Sequence, residues 1–188
     1  MPDRRGNCTA EAVAGDLELV QAIAEAEGAL EIVFERDPDA RLRLWRARHM
    51  AAHAAAAFVP GSSERTTDVC VPVTELAAAV SFARSELERL RLQGGILGHA
   101  GDGNLHVSLH MDAGDPTALE RSDELVRRVV EDALARGGTC SGEHGIGIGK
   151  IGALEQEHGD LIELMRGIKH VFDPLGIMNP GKVLRETA

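Results

Sequence analysis

Two segments of the chain concentrate residue types that bind metal ions and move protons. The first, GHAGDGNLHVSLHM, contains His99 and His106, and the second, TCSGEHGIGIGK, contains Glu143 and His144. Two imidazoles and one carboxylate form a three-ligand set that leaves coordination positions of an ion such as zinc, manganese or iron open to water or substrate. The two segments therefore predict a metal site of the open, catalytic kind.

The neighbours of these residues predict their roles. His99 and His106 lie on either side of the GDG sequence at 101–103, which can reverse the chain and bring the two imidazoles together across a hairpin. Glu143 is the best third ligand, because glycines flank the Glu143-His144 pair and allow the backbone to approach closely. His144 would lie beside the metal and accept a proton from a hydroxyl that the metal has made more acidic.

A second interpretation of the same residues remains open. Histidine pairs on a hairpin often lie at the surface, or contact a residue that binds metal, without binding metal themselves. The glycine clusters favour the metal site, because glycines in and beside strands mark the close approach of a ligand or another backbone. His110 follows His106 on the same face of the strand, and we expect it to support the site from its rim.

The elements that must position these residues alternate between helices and strands. Apolar residues at helical spacing predict helices from Thr9 to Glu27, from Pro38 to Phe58, from an N-cap at Thr74 to Gly94, from Pro116 to Arg136, and from Ile151 to Phe172. Strands are predicted from Ala29 to Phe34, from Thr66 to Val71, and as a hairpin over 96–111.

The second strand of the hairpin indicates how the layers pack. Leu105, Val107 and Leu109 alternate with His106 and the other polar residues of the strand, so one face is apolar and the other polar. A hairpin requires an antiparallel pair. The pattern therefore predicts an α+β fold, in which helices pack on one face of an antiparallel sheet and the site lies on the other.

Composition excludes several classes of function. The 188 residues fit a single domain, and a net charge of -10 would repel the backbone of a nucleic acid. Three scattered cysteines indicate no disulfide framework and favour a reducing, cytoplasmic location. No segment has the ~18 apolar residues of a membrane span. The GIGKIG sequence at 147–152 matches GxGxxG but follows no apolar strand, so a nicotinamide site is not expected.

Three motifs in order, GHAGDGNLH, SGEHGIGIGK and DPLGIMNPGK, resemble the C-terminal cap, or substrate, domain of the FAD-linked 2-hydroxy-acid dehydrogenases and oxidases. These are the D-lactate dehydrogenase, glycolate oxidase and D-2-hydroxyglutarate dehydrogenase types of the vanillyl-alcohol oxidase superfamily. The resemblance runs from about Gly28 to Leu184. It implies a cap-domain fold and an activity that depends on FAD and a divalent metal.

The resemblance also implies roles for single residues. His99, His106 and Glu143 match the metal ligands, and His144 matches the catalytic base. Arg48, in LWRARH, is similar to the arginine that binds the substrate carboxylate, a task that suits the fork of a guanidinium. From the residues alone, Arg48 would be an ordinary solvated helix residue.

Three further residues are assigned in the same way. The resemblance places Thr66 and Ser108 among the substrate contacts and Asn179 beside the flavin, although Asn179 also suits a plain turn. Where TTDV stands in this chain, the hydroxyglutarate enzymes carry a lysine for the distal carboxylate. A threonine cannot replace that charge, which argues against a dicarboxylate substrate.

The resemblance implies that another domain or subunit binds the flavin. The relatives place a flavin-binding domain before the cap, and these 188 residues contain none. We therefore expect the substrate- and metal-binding part of a flavin-dependent dehydrogenase, which oxidises a D-lactate-like or glycolate-like 2-hydroxy acid to the 2-oxo acid with hydride transfer to FAD. The chain alone should be inactive and should associate with itself or with a flavin-binding domain or subunit. Two other classes stay open: a stand-alone metal-dependent hydrolase or lyase, and a non-catalytic truncated cap module.

Overall fold

The structure of the protein, a computed structural model, describes residues 9–57, 61–112 and 114–186, with the backbone alone for 51–57. The chain divides into two compact units, Met1–Ala51 and Ala52–Ala188. Each unit is described by itself. The candidate metal ligands all lie in the second unit.

Helix α1 (Ala10–Ala26) and the start of helix α2 (Pro38–Ala57) form the first unit. The side chain of Thr9 accepts a hydrogen bond from the backbone N–H of Ala12 at 3.1 Å, and Asp37 accepts one from Ala40 at 2.9 Å. These side chains satisfy backbone donors that the first turn of a helix leaves unpaired. Both helices agree with the sequence prediction, whose end at Phe58 lies outside the described residues.

The strand predicted over 29–34 is wrong, because this stretch is irregular between α1 and α2. Leu30, Val33 and Phe34 are exposed. Branched residues favour an extended backbone, but a strand also needs a neighbour for its hydrogen bonds. All strands in the described part of the chain belong to the second unit.

The second unit contains the sheet and the remaining helices. Its elements are β1 (Ser63–Thr66), β2 (Val69–Cys70), a 3₁₀ turn (Val73–Glu75), α3 (Leu76–Arg89), β3 (Gln93–His99), β4 (Asn104–Met111), α4 (Ala118–Ala135), α5 (Ile151–His158) and α6 (Leu161–Phe172).

Strand β4 is the centre of the antiparallel sheet. It pairs with β3 along one edge, from His99 opposite Asn104 to Gln93 opposite His110. Along its other edge it pairs with β1 and then β2. The turn between β3 and β4 needs a glycine at 103, where φ is +74° and a Cβ atom would lie 1.9 Å from the carbonyl oxygen of Val71. The predicted hairpin is confirmed.

Helices α3 and α4 cover one face of this sheet. Leu105, Val107 and Leu109 of β4 point into the core and are at most 2% exposed. Each such side chain contributes roughly 1.5–3 kcal/mol when removed from water. They pack with Ala79, Ala83, Leu87, Leu90, Leu125, Val129, Val130 and Ala133 of the helices. The predicted α+β class is therefore confirmed.

Three local predictions need correction. The strand predicted over 66–71 is interrupted between β1 and β2, because the N–H of Val107 bonds to the side chain of Thr67 at 2.9 Å. The helix predicted from Ile151 to Phe172 is two helices, since Gly159 ends α5 with a positive φ of 50°. Thr74 lies within the 3₁₀ turn and caps no helix.

Candidate metal centre

The hairpin of β3 and β4 brings two imidazoles together on the face of the sheet that α3 and α4 leave uncovered. His99 ends β3 and His106 lies in β4, with their rings edge to face and their centroids 6.0 Å apart. Nδ1 of His106 lies 3.1 Å from the carbonyl oxygen of Thr67. A carbonyl can only accept, so Nδ1 donates to it, and Nε2 is the ring nitrogen that faces Glu143 and would bind a metal ion.

Glu143 completes a three-residue cluster. Its Oε1 lies 2.9 Å from Nε2 of His106 and 3.5 Å from Nε2 of His99. One potential ligand atom from each of the three residues lies within 4.8 Å of the other two. This spacing matches an ion that each ligand atom approaches at about 2.0–2.2 Å, the range for nitrogen and oxygen ligands of zinc.

His144 lies beside this cluster, as the sequence analysis expected. Its ring is nearly parallel to that of His106, at 16°, with the centroids 5.1 Å apart. Its Nε2 lies 3.8 Å from Oε1 of Glu143, and its side chain is 54% exposed. His144 is therefore accessible to a small molecule that binds at the cluster.

Sequence reasoning missed Asp68, which lies beneath the 141–145 loop. Its side chain is only 1% exposed, and it accepts hydrogen bonds from the backbone N–H groups of Glu143 and His144. Burial alone would raise the pKa of Asp68, but the ion pair with Lys150 and these hydrogen bonds outweigh it and hold the pKa well below its usual range. The TTDV sequence carries no periodic signal for this role, because Asp68 follows two polar threonines and lies between β1 and β2.

Asp68 also belongs to a second group of potential ligands, with His106 and His144. Both oxygens of its carboxylate, however, already accept hydrogen bonds, from Asn104 at Oδ1 and from Lys150 at Oδ2 among others. A metal ion there would have to replace these bonds and lie near the Lys150 ammonium. The geometry therefore favours the group of His99, His106 and Glu143.

A cavity of about 630 Å³ opens beside His144. Thr66 lines the same cavity as His144, which places this predicted substrate contact near the predicted base. The rest of the lining combines apolar side chains, such as Val126, Val130 and Ile146, with paired charges. Each basic group has an acidic partner in the same lining: Arg65 with Asp123, Arg127 with Glu131, and Lys150 with Asp68.

Residues 7–183 match the family model described as FAD linked oxidases, C-terminal domain. The chain belongs to this FAD-linked oxidase family. It is 41% identical over 172 residues to a probable mitochondrial D-lactate dehydrogenase of Danio rerio, covering 91% of this chain and 35% of the relative. It is 38% identical over 168 residues to the mitochondrial D-lactate dehydrogenase [cytochrome] of Arabidopsis thaliana, covering 89% of this chain and 30% of that protein.

A bacterial relative of the FAD-linked oxidase family shows the same extent of similarity. The chain is 32% identical over 179 residues to glycolate oxidase subunit GlcD of Bacillus subtilis, covering 95% of this chain and 38% of that subunit. The chain thus spans about a third of the length of these relatives. Two of them carry mitochondrial names, which do not fit a purely cytoplasmic location for the family.

The fold of the FAD-linked oxidase chain is also found in a solved structure. The 4-ethylphenol oxidase of Gulosibacter chungangensis, in its isoeugenol complex, superposes with a TM-score of 0.60 at 20% identity. The match covers 94% of this chain and 38% of that enzyme. At this identity the likeness shows a shared fold and nothing of the substrate.

The remaining residues that the resemblance assigned lie in several places. Ser108 is buried on the face of β4 that carries His106, and its hydroxyl donates to Glu64 at 2.8 Å. Asn179 is exposed after α6, with a positive φ of 48°. Arg48 belongs to the first unit, where its guanidinium lies 5.2 Å from the ring centroid of Trp45. Their roles stay predictions.

The face of β4 that carries the cluster holds one more histidine. His110 is buried, and its Nδ1 has no hydrogen-bond partner among the described residues. It lies opposite Glu64 in the pairing of β1 with β4. His110 lies two strand steps beyond His106 on the same face, and its role at the rim of the site stays a prediction.

The described helices give no sign of a membrane span. None of them combines the length with the apolar character that crossing a bilayer requires.

Proposed function

We propose that this chain is the substrate- and metal-binding part of a flavin-dependent dehydrogenase that oxidises a D-lactate-like or glycolate-like 2-hydroxy acid to the 2-oxo acid, with hydride transfer to FAD. Membership of the FAD-linked oxidase family supports the reaction class. The observation that carries the proposal is the position of Glu143, whose Oε1 lies within 3.5 Å of Nε2 of both His99 and His106.

The residues of the cluster suit a divalent metal such as zinc, manganese or iron. Two imidazole nitrogens and one carboxylate oxygen would hold the ion, and Thr67 fixes the ring orientation of His106. The hydroxyl and carboxylate of the acid would chelate such an ion, which would make the hydroxyl more acidic. Three protein ligands would leave positions for both substrate oxygens on a five- or six-coordinate ion.

His144 is the proposed general base. Its Nε2 lies 3.8 Å from Oε1 of Glu143, so it would face a hydroxyl held at the cluster. Imidazole takes up and releases a proton near neutral pH, as the removal of a hydroxyl proton requires. The stacking on His106 limits the rotation of the ring.

The space at the site and the family resemblance favour a small carboxylic acid as the substrate. A cavity of about 630 Å³ lies beside His144, and the resemblance assigns the substrate carboxylate to Arg48. Thr66 and Ser108 would contact the rest of the acid. No lysine stands at TTDV for a second carboxylate, so we propose a monocarboxylate substrate.

The flavin would be held by another domain or subunit, with Asn179 facing it. The relatives are about three times as long as this chain, and the family model describes a C-terminal domain. We propose that residues 1–188 alone do not reduce an acceptor dye with FAD and a hydroxy acid. A cytoplasmic location remains part of the proposal, on the cysteine content alone.

The function can be tested on the chain itself with cobalt as a visible substitute for zinc. The purified protein should bind one Co²⁺, and D-lactate or glycolate should change the visible absorption of the bound ion. Acetate, which lacks the hydroxyl, is the matched control and should change it less. His106→Ala should abolish both signals.

Three results would contradict the proposal. The first is failure of the wild-type chain to bind any divalent ion. The second is an equal response to D-lactate and acetate. The third is hydrolysis of esters by the metal-loaded chain at a rate that depends on His144, which would favour the stand-alone hydrolase.

A further inference from the structure

The carboxylate of Asp68 supports the loop that carries Glu143 and His144. Oδ1 of Asp68 lies 3.1 Å from the backbone nitrogen of Glu143, and Oδ2 lies 3.0 Å from that of His144. Two consecutive peptide N–H groups therefore donate to one buried carboxylate. Hydrogen bonds to an ionised acceptor are shorter and stronger than neutral ones.

Side chains hold Asp68 itself in place. Nδ2 of Asn104 donates to Oδ1 at 3.1 Å, and the hydroxyl of Ser141 donates to Oδ2 at 3.0 Å. The ammonium of Lys150 lies 2.9 Å from Oδ2 and also donates to the carbonyl oxygen of Asp68 at 2.7 Å. The charge of the buried carboxylate is thus compensated, which a stable buried anion requires.

The loop backbone packs directly against this carboxylate. A Cβ atom at Gly142 would lie 2.8 Å from Oδ1 of Asp68 and 1.9 Å from Nδ2 of Asn104. Such a contact requires a glycine. The close approach is independent of the hydrogen bonds and points to the same anchoring of the loop.

Glu143 depends on this anchoring. Its side chain is 48% exposed, so packing around the carboxylate does little to fix it. Its reach toward His99 and His106 is set by the position of its backbone, and that backbone is bonded to Asp68.

We infer that Asp68 is a positioning residue for the metal centre, whose carboxylate fixes the Glu143-His144 peptide segment so that Glu143 meets both histidines and His144 stacks on His106. The inference rests on the proposed function for the identity of the site. It assigns Asp68 a role through hydrogen bonds to the loop backbone and not as a metal ligand.

The test compares variants of the chain in its metal-free form. Asp68→Ala combined with Lys150→Met removes the anchor without leaving an unpaired buried charge. Amide hydrogen exchange, followed by NMR, should become roughly tenfold faster or more at Glu143 and His144, while the Val107 amide of β4 is unchanged. Asp68→Asn retains one acceptor oxygen and should give an intermediate rate. Asp160→Ala, at an exposed aspartate before α6, should change neither rate.

The second measurement is the affinity for Zn²⁺ by titration calorimetry. The double variant should bind Zn²⁺ about 10–100-fold more weakly, the loss typical when a partner behind a ligand is removed. The Asp160→Ala control should bind as the wild type does. The Co²⁺ spectrum of the double variant should differ in shape, because Glu143 would be displaced.

The outcomes separate the two hypotheses. A wild-type chain that binds no metal contradicts the proposed function, and the exchange rates then decide the role of Asp68 by themselves. Unchanged exchange at Glu143 and His144 in a folded double variant overturns the inference. Faster exchange with unaltered Zn²⁺ affinity and Co²⁺ spectrum overturns it as well, because the anchored segment would then not serve the site.

Discussion

The imidazole of His144 stacks on that of His106, yet the two rings have different surroundings. Their planes differ by 16° and their centroids are 5.1 Å apart. His106 is buried, with Nδ1 at 3.1 Å from the carbonyl oxygen of Thr67 and Nε2 toward Glu143. His144 is more than half exposed. The ring of His106 is held in one orientation, and the ring of His144 is open to solvent.

Replacement of the two histidines should therefore affect metal binding differently. His106→Ala removes a ligand and should weaken Zn²⁺ binding by more than about 100-fold, beyond the loss seen for partners behind a ligand. His144→Ala should change the affinity by less than about tenfold. Titration calorimetry checks both. An equal loss in the two variants would make His144 a ligand and favour the group with Asp68 and His106.

Gly142→Ala should destabilise the fold. The new Cβ atom would meet Nδ2 of Asn104 at 1.9 Å, and Asn104 is buried and cannot move freely. Overpacking of this kind costs about 1–3 kcal/mol, and urea denaturation measures it. Gly149→Ala is the matched control, because a Cβ atom there meets nothing within 4 Å. Equal stabilities of the two variants would refute the close packing of the loop.

Glu86 joins α3 to α4 and makes stability depend on pH. Burial alone would raise the pKa of Glu86, but hydrogen bonds and ion pairs with Arg89 and Arg128 outweigh it and hold the pKa below its ordinary value of 4.5. Because the folded pKa is lowered, this stabilisation is present above pH 4.5 and is lost as the pH falls through the folded pKa.

Glu86→Gln should accordingly lower the free energy of unfolding by about 1–3 kcal/mol at neutral pH. The difference from the wild type should shrink as the pH falls below 4.5. Denaturation at a series of pH values measures both effects. Glu88→Gln, at an exposed position of α3, should change stability little at any pH. A Glu86 effect that persists unchanged in acid would contradict the ion-pair explanation.

The core between α4 and the sheet can be tested with two leucines of one helix. Leu125 is fully buried, and Leu119 is 62% exposed. Leu125→Ala should cost about 2–5 kcal/mol because it leaves a cavity. Leu119→Ala should stay within about 0.5 kcal/mol of the wild type. Similar losses in chemical denaturation would mean that α4 packs through another face.

The sequence by itself determined the hairpin and the class of the fold. Alternation along β4 separates Leu105 and Val107 from His106, and a strand with this pattern buries its apolar face. The GDG turn sets the register that places His99 near His106. Helical periodicity likewise marked α1, α2, α3 and α4, because these patterns depend on local geometry alone.

The sequence did not predict which segments find a strand partner or where a helix is interrupted. The stretch 29–34 has the composition of a strand, but pairing depends on a distant neighbour that composition cannot supply. The apolar spacing from Ile151 to Phe172 predicts one helix, but Gly159 has a positive φ and divides the stretch into α5 and α6. Each miss reflects a local pattern overruled by tertiary context.

Only the tertiary structure decided how Glu143 meets the histidines. Residues 141–145 contain no helix or strand that would fix their direction, so no periodicity could predict where the loop lies. Asp68 fixes it across 75 residues of sequence, through hydrogen bonds to the peptide groups of Glu143 and His144. Backbone amides are the same in every residue, and a bond to them therefore leaves no pattern in the sequence.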